Sequence, residues 1–233
     1  MSGLDWPGEE RRRPPLSSPT WAVRAPLAAW LEEQARLGDG GYRVLDVGCG
    51  PKPYYPFFAA RATEYVGVDV VENPAAELRG SVEDLPVPDA SFDLVLCTQV
   101  LEHCDDPRQA VAELRRVTAP GGRVLASTHG TQVYHPSPQD YWRWTHAGLH
   151  RLFEEGADWE SVDVSPGAGT ATTLAMLLGT YVEIAARRTP IARPPVWLLN
   201  RIGSALDRRV RMLREPVAGS LIANFHVVAT VAP

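Results

Sequence analysis

Two carboxylates and a run of histidines are the residues of this chain best placed to do chemistry. Asp46 closes the apolar stretch of "YRVLDVGCG" and is followed at once by Gly48 and Gly50. Asp69 closes "YVGVD", about twenty residues past that turn. Two further stretches are dense in groups that move protons or bind hydroxyls. "QVLEHCDDP" carries Glu102, His103, Asp105 and Asp106. "STHGTQVYHPSPQDYWRWTHAGLHRLF" carries His129, Tyr134, His135, Asp140, Tyr141, Trp142, Arg143, Trp144 and His146.

Glycines after a strand let the backbone turn sharply and lie against a ligand that a Cβ would obstruct. A dinucleotide turn spaces three glycines and aims a helix N-terminus at pyrophosphate. Here the third glycine is missing, "PKPYY" follows, and Asp46 would repel a pyrophosphate. An acidic turn suits a cation such as S-adenosylmethionine, with its ammonium and sulfonium. An acid at the end of the next strand, Asp69, suits ribose hydroxyls. Cys49 between the glycines adjoins no base or metal partner in sequence and reads as a small packing residue.

The elements that must hold these groups alternate. "YRVLDV", "YVGVDV", "FDLVLCT" and "GRVLAST" read as strands, each apolar on both faces. Between the last two, Asp106 can cap a helix with Pro107 in its first turn and Ala110, Val111, Leu114 and Val117 as a stripe. Such alternation predicts an open α/β sheet covered on both sides. Before it, "TWAVRAPLAAWLEEQARL" has helical spacing, with Trp21, Leu27, Trp30, Leu31 and Leu37 on one side and glycines after it. "WESVDVSP" and "LIANFHVVATV" read as two later strands. The fifty or so residues between them hold two helical patterns, a length that predicts a job of their own.

From Tyr42 to Thr128 the chain resembles the class I S-adenosylmethionine-dependent methyltransferases, in the small-molecule branch with the "LPFPDxSFD" signature, here "LPVPDASFD". The resemblance implies a Rossmann-like, seven-stranded, mostly parallel sheet with helices on both faces, an N-terminal helix and a C-terminal helical insertion. It implies cofactor contacts at Asp46, Gly48, Gly50, Asp69, Val82, Glu83 and Gln99. Ser81 stands where many relatives carry aspartate. The pattern "HPxPxDYWRWT…GL" further resembles methyltransferases of bacterial glycan and polysaccharide synthesis. That resemblance points to a sugar or oligosaccharide hydroxyl as acceptor, such as a mannoside. S-adenosylhomocysteine would be the product.

An unactivated hydroxyl needs a positioned base or a metal. His135, Asp140 and His103 are the expected catalytic groups. His129, Tyr134, Tyr141, Arg143, Trp144 and His146 are expected to contact the acceptor. Each has a structural alternative. His146 follows Thr145, a candidate N-cap, Asp140 and Arg143 could pair with each other, one of Trp142 and Trp144 should pack inward, and His103 could orient its loop. Glu102, His103, Asp105, Asp106, His129, His135 and Asp140 could also ligate a divalent ion such as magnesium, though no contiguous spacing demands one.

Residues 1–19 read as a flexible arm with Arg11 to Arg13 solvated, and 20–233 as one methyltransferase domain. Within it lie an acceptor loop at 129–146 and a helical lid or dimer segment at 167–215. The "MSGLDWPGEERRRPPLSSP" terminus lacks the apolar core of a secretory signal, and three unpaired cysteines favour a reducing compartment, so a cytoplasmic location is expected. A formal charge of −5 gives no sign of a nucleic-acid partner, and the first insertion helix is too interrupted to cross a bilayer. The helices would suit a homodimer. Methylation of another small metabolite (quinone, polyketide or lipid) is the alternative activity. A catalytically silent, cofactor-binding regulatory module is the alternative of another class.

Overall fold

A computed structural model describes residues 6–38, 40–136 and 138–233. After α1 (Glu9–Arg12) and α2 (Trp21–Gln34), β1 (Tyr42–Val47), α3 (Tyr55–Phe58), β2 (Ala62–Asp69) and β3 (Leu78–Arg79) build one half of a sheet. β4 (Phe92–Thr98), α4 (Pro107–Val117), β5 (Thr118–His129), α5 (His146–Gly156) and β6 (Ser161–Pro166) build the other half. Then α6 (Thr170–Ala185) and α7 (Arg193–Arg209) precede the closing β7 (Asn224–Thr230). The seven strands lie in the order β3-β2-β1-β4-β5-β7-β6. All neighbours are parallel except β7, which runs antiparallel to β5 and β6.

The strands are apolar on both sides because both sides are covered. Leu45, Val47, Val95, Cys97, Val124 and Ala126 face α4 and α5. Val44, Leu94, Leu96 and Leu125 face Leu27 and Leu31 of α2 and Phe58 of α3. α4 starts as its sequence directs: the Asp106 carboxylate accepts from Arg108 N and Gln109 N, and Pro107 fills the first turn. Strand order reverses between β1 and β4, which opens a crevice at their C-terminal ends.

Two expectations change, and one element is short. The glycine turn leads into α3, only four residues long, because the prolines of "PKPYY" leave no room for a full helix. Leu37 lies beyond α2 and is 46% exposed. The N-terminal segment, of which Met1 to Asp5 lie outside the described residues, packs down from Trp6 onward. Arg12 is buried and donates to the carbonyls of Trp6, Pro7 and Pro53 at 2.8, 2.7 and 2.5 Å. Trp6 Nε1 donates to the Lys52 carbonyl at 2.8 Å, and its ring lies 4.4 Å from that of Tyr55. Composition describes this stretch as solvated, but one guanidinium meeting three carbonyls is enough to fasten it onto the segment that follows the glycine turn.

Removing that guanidinium strands buried acceptors. Arg12→Ala should lower the unfolding free energy by about 2–3 kcal/mol in a urea titration. Arg11→Ala and Arg13→Ala, at exposed positions, should stay within about 0.5 kcal/mol of the parent.

Candidate functional site

The crevice is floored by the turn after β1. Gly48 has φ 66°, and a Cβ there would lie 2.4 Å from Val100 Cγ2. Gly50 has φ 49°, and a Cβ there would meet nothing within 4 Å, so its face is an open cradle. Asp69 ties the turn to β2: Oδ2 accepts from Gly50 N at 3.1 Å and from Asn73 Nδ2 at 3.0 Å. The cavity above is about 200 Å³, bordered by Gly48, Val70, Val82, Glu83, Val100 and His103. The Glu83 carboxylate also accepts from Asp106 N at 3.0 Å, which joins this wall to the start of α4.

The turn is strongly acidic for its surroundings. Burial pushes Asp46 up to about 7, although the Tyr65 hydroxyl, donating at 2.7 Å, and the Lys52 ammonium favour its ionised form. Lys52 is the sole lysine of the sequence. It sits buried at a left-handed φ of 51° and bonds both Glu77 oxygens at 2.5 Å. Burial likewise pushes the Cys49 thiol up to about 12, which suits a packing role.

A second group of side chains stands at the ends of β4 and β5. Glu102 is fully buried; its Oε2 accepts from Thr128 Oγ1 at 2.8 Å, and its Oε1 lies 3.3 Å from His129 Nε2. Its backbone carbonyl receives Tyr141 N and Trp142 N, so the residue beside the imidazole also anchors the loop opposite. The His135 ring stands between two others, 5.3 Å from His103 and 5.2 Å from His129. His103 donates Nδ1–H to the Gln139 carbonyl at 2.8 Å, which leaves Nε2 as its lone-pair nitrogen. Burial lowers His103 and takes His129 down to about 3, so both rings are neutral at physiological pH. Asp140 is held down to about 2, first by Arg143, and also accepts from His135 N at 3.2 Å. His103 belongs to the wall of the crevice as well, so the imidazole group abuts the cradle.

Not every expected residue joins this site. Arg143 spends its donors on the loop itself, on both Asp140 oxygens and on the carbonyls of Gln132, Val133 and Trp142, so it stiffens the loop and has no donor left for an acceptor. His146 points the other way, its Nε2 2.9 Å from the Val164 carbonyl, because α5 begins there under the Thr145 cap. Gln99 is left-handed at φ 58°, and its Nε2 donates to Ser127 and Asn224; Val100 takes its place in the wall. Tyr134 and Tyr141 are 64% and 53% exposed on the loop, and Ser137 lies outside the described residues.

Trp142 and Trp144 stack at 5.6 Å and 15°. They border a neighbouring groove of about 440 Å³ with Asp105, Asp106, Arg108 and Arg151. Sequence reasoning gave Lys52 and Val70 no role. The lysine's solitude in an arginine-rich chain was one available signal, and Val70's place directly after the strand-end acid was another.

For a cation, His129, His135 and Asp140 each place one ligand atom within 4.8 Å of the others. The donor set does not fit magnesium, which takes oxygen ligands. Both oxygens of its one carboxylate are already engaged by a guanidinium.

A methyltransferase-domain family matches residues 45–126. A protein of Mycolicibacterium smegmatis named as a probable S-adenosylmethionine-dependent methyltransferase is 33% identical over 172 residues, 66% of this chain and 67% of that one. The ubiquinone biosynthesis O-methyltransferase of Hahella chejuensis is 37% identical over 114 residues, and this chain spans only 47% of it. The malonyl-[acyl-carrier protein] O-methyltransferase of Erwinia billingiae is 34% identical, with 42% of its length spanned. A methyltransferase structure from Archaeoglobus fulgidus superposes with a TM-score of 0.55 at 14% identity, over 87% of this chain and 91% of that one. The [4+2]-cyclase SpnF superposes at 0.57 and 17% identity, over 90% and 81%, so the fold alone does not fix a reaction. The chain belongs to the class I S-adenosylmethionine-dependent methyltransferases. The open Gly50 cradle and the buried acid beside it fit that cofactor.

Asp46 and Glu102 both hold protons more tightly folded than unfolded, since burial raises each to about 7 from an ordinary 3.8 and 4.5. Their contribution to stability is therefore complete below about pH 4 and lost as pH rises through about 7. Glu102→Gln should flatten this fall. Urea titrations at about pH 5 and pH 8 should show the parent losing on the order of 3 kcal/mol more than the variant across that interval.

Proposed function

We propose that the protein transfers the methyl group of S-adenosylmethionine to a hydroxyl of a sugar or oligosaccharide. One observation carries the reading. His103 borders the cofactor crevice and packs against His135, so an imidazole group with a free face stands at the mouth of the cradle. When bound, the cofactor supplies a methyl carbon already activated by sulfonium; the chain has to align the acceptor and remove its proton. In this reading Asp69 receives the ribose hydroxyls, Val70, Val82 and Glu83 flank the adenine, and Asp46 with the Gly48–Gly50 backbone faces the cationic end.

His135 is the base. Its side chain is 38% accessible, against 6% for His129, and Asp140 lies 3.9 Å from its Nε2. That is too far for a hydrogen bond but close enough to stabilise an imidazolium. Buried His129 and half-buried His103, both neutral, act as positioning groups. The stacked indoles with acids and guanidiniums around them offer an apolar plane inside a hydrogen-bonding border, which suits a sugar ring. Methylation of another small metabolite is the second reading, favoured by the ubiquinone and malonyl-carrier relatives. The charged border of the groove favours the polyol.

Ionised Asp46 should be what welcomes the cofactor, so binding must drive off its proton below about pH 7. Calorimetry should find affinity rising about tenfold from about pH 6 to pH 8. Asp46→Asn should abolish that dependence; a parallel slope in the variant would remove Asp46 from the site.

His135→Ala should lower kcat by roughly 10²–10⁴ with cofactor affinity unchanged. Labelled methyl should appear on glycosides, and label found solely on phenols or amines would defeat the sugar reading. Chelator treatment should leave turnover unaltered.

A further inference from the structure

The hairpin of α6 and α7 is apolar where it meets solvent. α6 turns Thr172, Ala175, Met176 and Gly179 inward, as an ordinary buried face. Its opposite face is just as apolar: Leu174, Leu178, Tyr181 and Ile184 are 44, 56, 64 and 56% exposed. Glu183 is the one charged residue in the helix. A helix that is hydrophobic all round is normally covered on all sides. Beside it, α7 buries Val196, Asn200, Gly203 and Asp207, and presents Leu198, Ile202 and Leu206 at 51, 50 and 44% exposure, four residues apart. Gly203 lets the two helices approach closely, since a Cβ there would lie 2.7 Å from the Ala171 carbonyl oxygen. The two stripes therefore belong to one rigid unit.

Charge decides what covers it. Residues 187–215 hold eight arginines against two acids, Asp207 and Glu215, the second paired with Arg211, in a chain whose formal total is −5. Asp207 is buried, where it accepts from Ala171 N and Thr172 N at 3.0 Å. All eight arginines are exposed. Arg187 and Arg188, at the tip, occupy left-handed φ of 52° and 57°, where glycine or asparagine is the easier choice. Trp197 adds an interfacial aromatic, with the Arg201 guanidinium 5.4 Å from its ring.

We infer that this hairpin docks on an anionic lipid bilayer, its leucine and isoleucine stripes in the headgroup boundary and its arginines among the phosphates. A second copy fits less well, because a twofold contact through this face would set the arginines against their own kind. No described helix is long and apolar enough to cross a membrane, so the segment lies on the surface. The inference concerns this surface and stands apart from which hydroxyl is methylated.

Co-sedimentation of the full chain with vesicles should test it. Vesicles of equal parts phosphatidylcholine and phosphatidylglycerol should bind at least tenfold more tightly than pure phosphatidylcholine, and added salt should weaken the binding. Leu178→Asp with Ile202→Asp should lose at least tenfold, and so should Arg201→Gln with Arg209→Gln, which leaves the apolar stripes intact. Circular dichroism and the heat of cofactor binding should be unchanged in both. Equal binding to the two vesicle types, no binding, or undiminished binding by the folded variants would overturn the inference. So would sedimentation showing a dimer that ignores anionic vesicles and falls apart in Leu178→Asp.

Discussion

Three carboxylates and one ammonium meet at the tips of β1 and β2, and the rest of the cofactor side is arranged around that imbalance. Asp46, Asp69 and Glu77 converge there, with Lys52 as the cation that bonds Glu77 and lies near Asp46. Of the three, Asp46 is buried, Asp69 half-buried and Glu77 exposed, and charge that is withdrawn from water must be relieved by protons, donors or a ligand. The protein supplies part of that relief through the Tyr65 hydroxyl, Gly50 N and Gly67 N. What remains is a site poised for a cation, with its open face over Gly50, where a side chain would stand in the way. The N-terminal segment matters here too, because Trp6 and Arg12 hold the carbonyls of Lys52 and Pro53 and so set how the lysine enters the cluster.

The loop after β5 solves a different problem. Residues 130–145 contain no regular element among those described, yet the loop is held in place by hydrogen bonds at its ends and middle. Gly130 N and Thr131 N reach the chain before β7, Tyr141 N and Trp142 N reach Glu102, and Trp144 N reaches His129. The Asp140–Arg143 pair closes the interior. A side chain on such a loop can be aimed closely while its outer face stays accessible, as that of His135 does.

How much of this was legible follows from where direction is set. The strands, the Asp106–Pro107 helix start and the Thr145 cap could be read because local chemistry determines them. Asp46 and Asp69 could be read because a strand end fixes where its last side chains go. Gln99, Arg143 and His146 could not. Each sits within a few residues of the site, and only tertiary partners (Asn224, the loop's own carbonyls, the Val164 carbonyl) decide which way it turns. β3 was missed for a similar reason: two residues carry no periodicity, and pairing with Val68 and Asp69 is what makes them a strand. Arg12 was averaged away by its neighbours, since composition describes a segment and one buried guanidinium defines it.

The insertion between β6 and β7 ties these parts together. α6 is bolted to the sheet at its start: Thr173 Oγ1 accepts from Ala223 N at 3.0 Å and Thr170 Oγ1 from Leu221 N at 3.1 Å, both just ahead of β7. Asn200 of α7 donates to the carbonyls of Leu16 and Ser18, which fastens the hairpin to the N-terminal segment. That same segment grips the turn beneath the cofactor cradle. A hairpin anchored at both places cannot reorient to hide its outer stripes without unmaking bonds to β7 or to the segment that holds Lys52. Its exposed apolar face is therefore a fixed property of the folded chain, and any surface that covers it is connected through rigid structure to the crevice and to the loop that carries His135.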